Sequence, residues 1–178
     1  APRMDYDDVL IVFYSGHGGQ VERSAFQATD PDMRDETLVM IDQDILDDDL
    51  DQMLAAVTKG TTLLVIDSCH SGGLAKDVIS RPGRMGAFSS AEDCLSLVAS
   101  ERESGGYLSD FFIEAIGEGR TDADTDGDRR LTALELTQFL AERYRTEVSS
   151  DAKPPATPRM WTGTVSPGDF LGYQLLQV

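Results

Sequence analysis

Two runs of apolar residues stop abruptly at small polar stretches closed by glycine. Val9-Leu10-Ile11-Val12-Phe13 leads through Tyr14 into Ser15-Gly16-His17-Gly18-Gly19, and Leu63-Leu64-Val65-Ile66 leads into Asp67-Ser68-Cys69-His70-Ser71-Gly72-Gly73. Continuous runs of this length predict strands buried on both faces, at about 9–14 and 61–66. Between them Leu46, Leu50, Met53, Leu54 and Val57 recur at helical spacing, with Lys59-Gly60 as a stop. Asp47, Asp48, Asp49 and Asp51 fall early in that helix, where negative charge favours the helix dipole. Strand, helix, strand is the crossover unit of a parallel sheet. If the two strands are neighbours, both glycine-rich stretches emerge at one sheet edge.

The pattern is less regular elsewhere. Residues 16–37 read as a long loop or a short hairpin near His17, and Leu38-Val39-Met40-Ile41 as a brief extended run. Lys76 to Arg84, with Arg81-Pro82-Gly83-Arg84, reads as a mobile loop, and a third strand follows at about 85–90. Leu108, Phe111, Phe112, Ala115 and Ile116 predict a helix over 107–117. Leu136, Phe139, Leu140 and Tyr144 predict another over 133–146. Residues 149–159 are proline-rich, and Trp161, Phe170, Leu171, Tyr173, Leu175 and Leu176 suit a closing strand or a cover for the core. The fold class is therefore α/β, in one domain of 178 residues without internal repeats.

Charge narrows the range of partners. The formal charge of −17 repels nucleic acid and anionic membrane, and suits cationic partners or metal ions. No apolar run approaches the roughly 20 residues that span a bilayer, and no secretion signal is visible. The two cysteines, Cys69 and Cys94, are too few for a disulfide framework and lack zinc-type spacing, which favours free thiols.

The chemistry concentrates in His17 and Cys69. A thiol with a pKa near 8.5 needs help to become a thiolate near neutral pH. A histidine within hydrogen-bonding reach gives that help and later returns the proton to a leaving amine. Glycines bound both residues and admit a substrate backbone, and the N–H groups of Gly18 and Cys69 are candidates to hold an oxyanion. His70 follows Cys69 directly and reads as a loop-ordering group.

Tyr14-Ser15-Gly16-His17-Gly18 and Asp67-Ser68-Cys69-His70-Ser71-Gly72-Gly73 resemble the two catalytic motifs of the caspase-like cysteine peptidases, and within them the metacaspases and the bacterial caspase homologues. The spacing, a histidine about 50 residues before the cysteine, agrees. The resemblance reaches Gly105-Gly106-Tyr107 and the following helix, to about residue 145. It implies a mostly parallel, caspase-like sheet flanked by helices, with His17 as base and acid, Cys69 as nucleophile, and Gly18 as an oxyanion donor. No cofactor is required for that chemistry. It also implies an acidic pocket for Arg or Lys, with Asp67 and, on a looser match, Asp93 at its base. A guanidinium between carboxylates favours Arg. Asp67 has an alternative role, tying down backbone amides of the Cys69 turn, and Asp93 that of a solvated loop acid. Lys76 and Arg84 become candidate sites of self-cleavage. The family places two strands before the histidine strand, so residues 1–178 read as a peptidase domain lacking its N-terminal part. A lost, cleaved or companion chain would supply those strands.

Residues 124–135 align with the twelve-residue loop of an EF-hand. Asp124, Asp126, Asp128 and Glu135 would be calcium ligands with the carbonyl of Arg130, and Leu131 takes the apolar position. Arg129 stands where glycine is expected, and Thr132-x-x-Glu135 also reads as a capping box. A calcium site and a metal-free turn between helices both fit. The expected function is an endopeptidase cutting after Arg, less often Lys, through a thioester. The alternative is a calcium-responsive regulatory or interaction module with weak or self-directed proteolysis.

Overall fold

The structure, a computed structural model, describes residues 4–23, 33–93, 95–96, 105–117 and 120–148, and the backbone of 174–177. Cys94, the proline-rich segment 149–159 and the tail aromatics Trp161, Phe170 and Tyr173 lie outside the described residues.

Three strands form a parallel sheet: β1 (Val9–Ser15), β5 (Thr61–Asp67) and β6 (Arg84–Phe88), in the order β1-β5-β6. The apolar run of β5 is buried on both faces, so alternate residues enter two different cores. Leu63 and Val65 join Met85 and Ala87 against α3 (Tyr107–Ile116) and α5 (Ala133–Arg143), where Leu108, Phe111, Phe112, Leu136 and Leu140 close that layer. Leu64, Ile66 and Phe88 pack against Leu50 and Leu54 of α1 (Asp47–Leu54) and against Val78 of the short helix α2 (Ala75–Val78). This bears out the α/β layering read from the sequence. β1 is an edge strand among the described residues, with Ile11 37% and Phe13 45% exposed. Phe13 stacks on Phe112 with ring centroids 6.2 Å apart.

A second sheet is antiparallel: β2 (Gly18–Glu22), β3 (Arg34–Leu38) and β4 (Ile45–Leu46), in that order. The hairpin near His17 is therefore present, as β2 and β3. The run Leu38–Ile41 is not a strand. The strand ends at Leu38, and Val39, Met40 and Ile41 are exposed. Its buried residues include Asp35 and Glu36, which hydrophobic patterning assigns to solvent. They are accommodated by partners. Asp35 pairs with Arg23 at 2.6 Å, and Glu36 accepts from Gln20 Nε2 at 2.9 Å.

The stretch Lys76–Arg84 is not a loose loop. It begins inside α2, Arg81 is paired with Asp51, and Arg84 is a buried first residue of β6 bonded to Asp51 Oδ1 at 2.6 Å and the Val78 carbonyl at 2.9 Å. Arg84 is thus shielded as a cleavage site, and Lys76 is paired with Glu92. α1 buries Leu50 and Leu54 but leaves Met53 64% exposed. A short helix, α4 (Arg120–Ala123), precedes the aspartate loop. A strand that the pattern did not suggest, β7 (Arg130–Thr132), pairs antiparallel with β8 (Gln174–Gln177). Among the described residues no helix is long and apolar enough to cross a membrane.

Candidate active site

The parallel register brings the two sequence motifs together. Ser15 of β1 stands opposite Asp67 of β5, and the Gly16 amide donates to the Asp67 carbonyl at 3.1 Å. His17 and Cys69 each lie two residues beyond this pair, at the carboxyl edge of the sheet where open α/β folds place their sites. Gly18 then approaches the Cys69 turn so closely that a Cβ there would stand 1.9 Å from the Cys69 carbonyl oxygen. The space permits only hydrogen at that position.

Tyr14 fixes the His17 turn from below. Its hydroxyl lies 2.8 Å from the His17 carbonyl and 2.9 Å from that of Val39, while the Val39 amide donates to the His17 carbonyl at 3.0 Å. A Cβ on Gly16 would meet the Tyr14 hydroxyl at 2.6 Å, so glycine lets the phenol cross. Burial, and then the charge of Asp44, pushes the Tyr14 hydroxyl above its ordinary value, so it remains a donor at neutral pH. His17 is exposed and Cys69 half-buried.

The Cys69 turn is held from the segment after β6. The Ser90 hydroxyl donates to the Ser68 carbonyl at 2.9 Å, the Ser89 hydroxyl lies 3.2 Å from the same oxygen, and the Ser90 amide donates to Ser71 Oγ at 3.2 Å. His70 adopts a left-handed conformation (φ 60°), uncommon for a residue with a side chain. Its Nδ1 donates to the Glu92 carbonyl at 2.7 Å, the loop-ordering role expected of it. The Ser96 amide donates to Cys69 Sγ at 3.3 Å.

Asp67 is buried beneath this turn. Its Oδ2 accepts from the Ser109 amide at 2.8 Å and the Ser109 hydroxyl at 2.7 Å, and its Oδ1 meets Ser96 Oγ at 3.2 Å. The amide it accepts from belongs to the first turn of α3 rather than to the Cys69 turn. A carboxylate there satisfies a helix N–H group that has no partner within the helix. Asp93 is exposed, in the same segment as Glu92.

Residues 2–77, which carry both motifs, match the family model described as metacaspase, peptidase C14 domain. The chain is 36% identical to metacaspase-8 of Arabidopsis thaliana over 78 residues, 43% of this chain and 20% of that protein. It is 39% identical to metacaspase-7 of the same plant over 95 residues, 48% of this chain and 23% of that protein. Residues 2–77 are thus similar to metacaspases. The matched part spans about a fifth of these relatives' length. In solved structures, protein GSU0716 from Geobacter sulfurreducens is similar with a TM-score of 0.52 over 94% of this chain and 70% of that one. At 19% identity this likeness speaks for the fold alone.

Further along the chain, the aspartate loop forms a compact acidic group. Carboxylate oxygens of Asp124, Asp126 and Asp128 lie within 4.8 Å of one another. Asp124 Oδ1 accepts from the Gly127 amide at 2.9 Å, and its Oδ2 from the Arg129 amide at 2.8 Å. Arg129 is left-handed at φ 65°, the conformation that glycine would take without cost. Glu135 lies outside the three-acid group. Its Oε2 accepts from the Thr132 amide and hydroxyl at 2.9 and 2.8 Å, completing the capping box, and its Oε1 accepts from Thr125. These bonds, although offset by burial, hold its carboxyl below the usual range. The three acids fit a hard, oxygen-seeking cation.

The sequence reading missed the buried acids beside the Cys69 turn. Glu36 is fully buried, its Oε2 3.9 Å from Lys76 Nζ, and a Cβ on Gly73 would stand 2.1 Å from that oxygen. Burial pushes Glu36 up to about 7, with the charges of Glu92 and Asp47 adding to it against Gln20 and Lys76. Burial likewise pushes Asp47 up to about 6, even though it accepts from the Glu36 amide at 3.1 Å. The adjacency Asp35-Glu36 in a β-strand was the available signal.

Proposed function

We propose that this chain carries the His17–Cys69 dyad of a cysteine endopeptidase that cuts after Arg, less often after Lys. The observation that carries the reading is the Ser15–Asp67 register, with Gly18 seated on the Cys69 carbonyl. It sets the two motifs side by side at one edge of the sheet. His17 takes the Cys69 proton, and the thiolate attacks the substrate carbonyl carbon. The Gly18 and Cys69 amides hold the resulting oxyanion. The C–N bond then breaks, the amine leaves with the proton from His17, and a thioester remains. Water, deprotonated by His17, releases the acid and restores the thiol.

Asp67 and Asp93 form the acidic side of the pocket for the residue before the cut. A carboxylate has about four acceptor positions, and among the described residues three donors reach Asp67. A guanidinium N–H is a donor that suits the fourth position. Calcium would be held by Asp124, Asp126, Asp128 and the Arg130 carbonyl, and would modulate activity by fixing the turn into α5. Glu135 would join only by leaving its capping box.

Fluorogenic peptides ending in Arg, Lys or Asp, assayed with and without calcium, test the reading. Turnover of the Arg peptide that disappears in Cys69→Ala and in His17→Ala is the expected result. No turnover of any peptide, or turnover retained in Cys69→Ala, would overturn it.

A further inference from the structure

Ser96 touches both the sulfur and the acid that this chemistry would use. Its amide donates to Cys69 Sγ at 3.3 Å, and its hydroxyl lies 3.2 Å from Asp67 Oδ1 and 2.7 Å from Ser89 Oγ. Each hydroxyl has one proton, so the chain of groups has two consistent arrangements. Ser89 donates to Ser96, which donates to Asp67; or Ser96 donates to Ser89, which donates to the Ser68 carbonyl at 3.2 Å. The charged acceptor favours the first. The segment is also fixed one turn earlier, where His70 and Gln20 both donate to the Glu92 carbonyl.

We propose that Ser96 is a positioning residue for the nucleophile: its hydroxyl, anchored on Asp67 and Ser89, holds its amide on Cys69 Sγ. A donor there stabilises the thiolate over the thiol, because a hydrogen bond to the charged form favours that form. The inference rests on Cys69 being the nucleophile and deepens that reading. It also ties the floor of the pocket to the sulfur through one side chain.

Among the described residues, the titratable groups on the elements that meet at this turn are His17 from the β1–β2 edge, Glu36 from β3, Asp67 and His70 from the turn itself, Lys76 from α2, and Glu92 and Asp93 from the covering segment. A comparison of Ser96→Ala with the parent leaves all of them in place. The readout is the rate of Cys69 alkylation by iodoacetamide as a function of pH, on the full chain, with mass spectrometry separating Cys69 from Cys94. In Ser96→Ala the midpoint of the profile moves up by about one pH unit and the rate at pH 7 falls roughly tenfold, the effect of about one charge-assisted hydrogen bond. Ser89→Ala moves it less, in the same direction, and Ser96→Thr, which keeps the hydroxyl, retains the parent profile. A parent-like profile in Ser96→Ala overturns the proposal, as does an equal shift in Ser96→Thr. Should Ser96→Ala fail to fold, the Ser89→Ala profile decides: unchanged, it overturns the proposal. Alkylation needs no peptide substrate. A shifted profile in a protein inert to peptides would therefore sink the peptidase reading alone, and an unshifted one in an active enzyme would sink this inference alone.

Discussion

Gly18 lies on the carbonyl of Cys69, with room for a hydrogen and nothing larger. The contact is between two backbones, so neither can yield by rotating a side chain. Gly18→Ala must push the start of β2, and His17 with it, away from the Cys69 turn. Displacement of reacting groups by about 1 Å costs on the order of 10²-fold in rate. Peptide turnover by Gly18→Ala is expected to fall by about that factor, with the circular dichroism spectrum unchanged. Retained turnover would mean that the two turns do not need this contact.

Asp67 joins the end of β5 to the start of α3. Asparagine at 67 keeps one oxygen for the Ser109 amide and hydroxyl but removes the charge that strengthens both bonds, and its amide NH2 cannot accept from the Ser96 hydroxyl. Losing charge-assisted bonds of this kind costs about 1.5–3 kcal/mol each at most. Urea denaturation of Asp67→Asn is expected to show a loss of about 2 kcal/mol. If Asp67 also receives the substrate cation, kcat/KM falls for Arg peptides far more than for uncharged ones. An equal fall for both would assign Asp67 to the scaffold alone.

Strand β5 was legible because burial on both faces leaves a continuous apolar run, and β1 carries a similar run although alternate residues on its outer face, Ile11 and Phe13, are exposed; the two motifs are read directly from the ends of these strands. The helices α3 and α5 were legible from their periodicity. What escaped is held together across long stretches of chain. Ser96 meets Cys69 across 27 positions, and β7 exists through its pairing with residues 174–177. Neither leaves a local pattern. Asp35 and Glu36 escaped for a different reason: their burial depends on partners at Arg23 and Gln20, while their own chemistry signals solvent. Arg84 likewise looked like a loop residue until Asp51 supplied its counter-charge.

Glu36 sets a pH dependence whose sign can be worked out. Its carboxyl is pushed up to about 7 in the folded protein, from about 4.5. The folded state therefore holds its proton more tightly, and the stabilisation is complete below about 4.5 and lost as pH rises through 7. Glu36→Gln cannot ionise. Relative to the parent, that variant is expected to gain about 2–3 kcal/mol between pH 4.5 and pH 8. Parallel stability–pH curves for the two proteins would show that Glu36 does not titrate in this window.

Arg129 holds a left-handed conformation in the middle of the aspartate loop. A residue with a Cβ gives up roughly 1–2 kcal/mol there, and glycine recovers most of it, less its greater freedom when unfolded. Arg129→Gly is expected to raise stability by about 0.5–1 kcal/mol in thermal denaturation. It also removes a positive charge from the three-acid group, so calcium, followed by titration calorimetry, should bind more tightly than in the parent. Weaker binding in Arg129→Gly would mean that the loop uses Arg129 rather than tolerating it.

Asp51 holds two arginines from the far side of the sheet. Arg81 pairs with it at the surface, and Arg84, whose side chain is 4% exposed, reaches it from the start of β6. The two guanidiniums, Arg81 first, hold the Asp51 carboxyl below the usual carboxylate range despite burial. A carboxylate so lowered contributes stability above the unfolded value, and the contribution is lost as pH falls through the folded one. Asp51→Asn leaves Arg84 buried against the main-chain carbonyls of Val78 and residue 51, with no counter-charge among the described residues, and breaking a buried pair from one side costs about 3–5 kcal/mol. A loss near the lower end is expected, because Asp51 is partly solvated. The Arg84–Met85 bond, now shielded at the edge of β6, should then be cut by trypsin well before the rest of the chain. Pro82 protects the bond after Arg81 in either protein. If trypsin cuts parent and variant at the same rate and place, Asp51 does not hold this segment closed, and Arg84 returns as a candidate for self-cleavage.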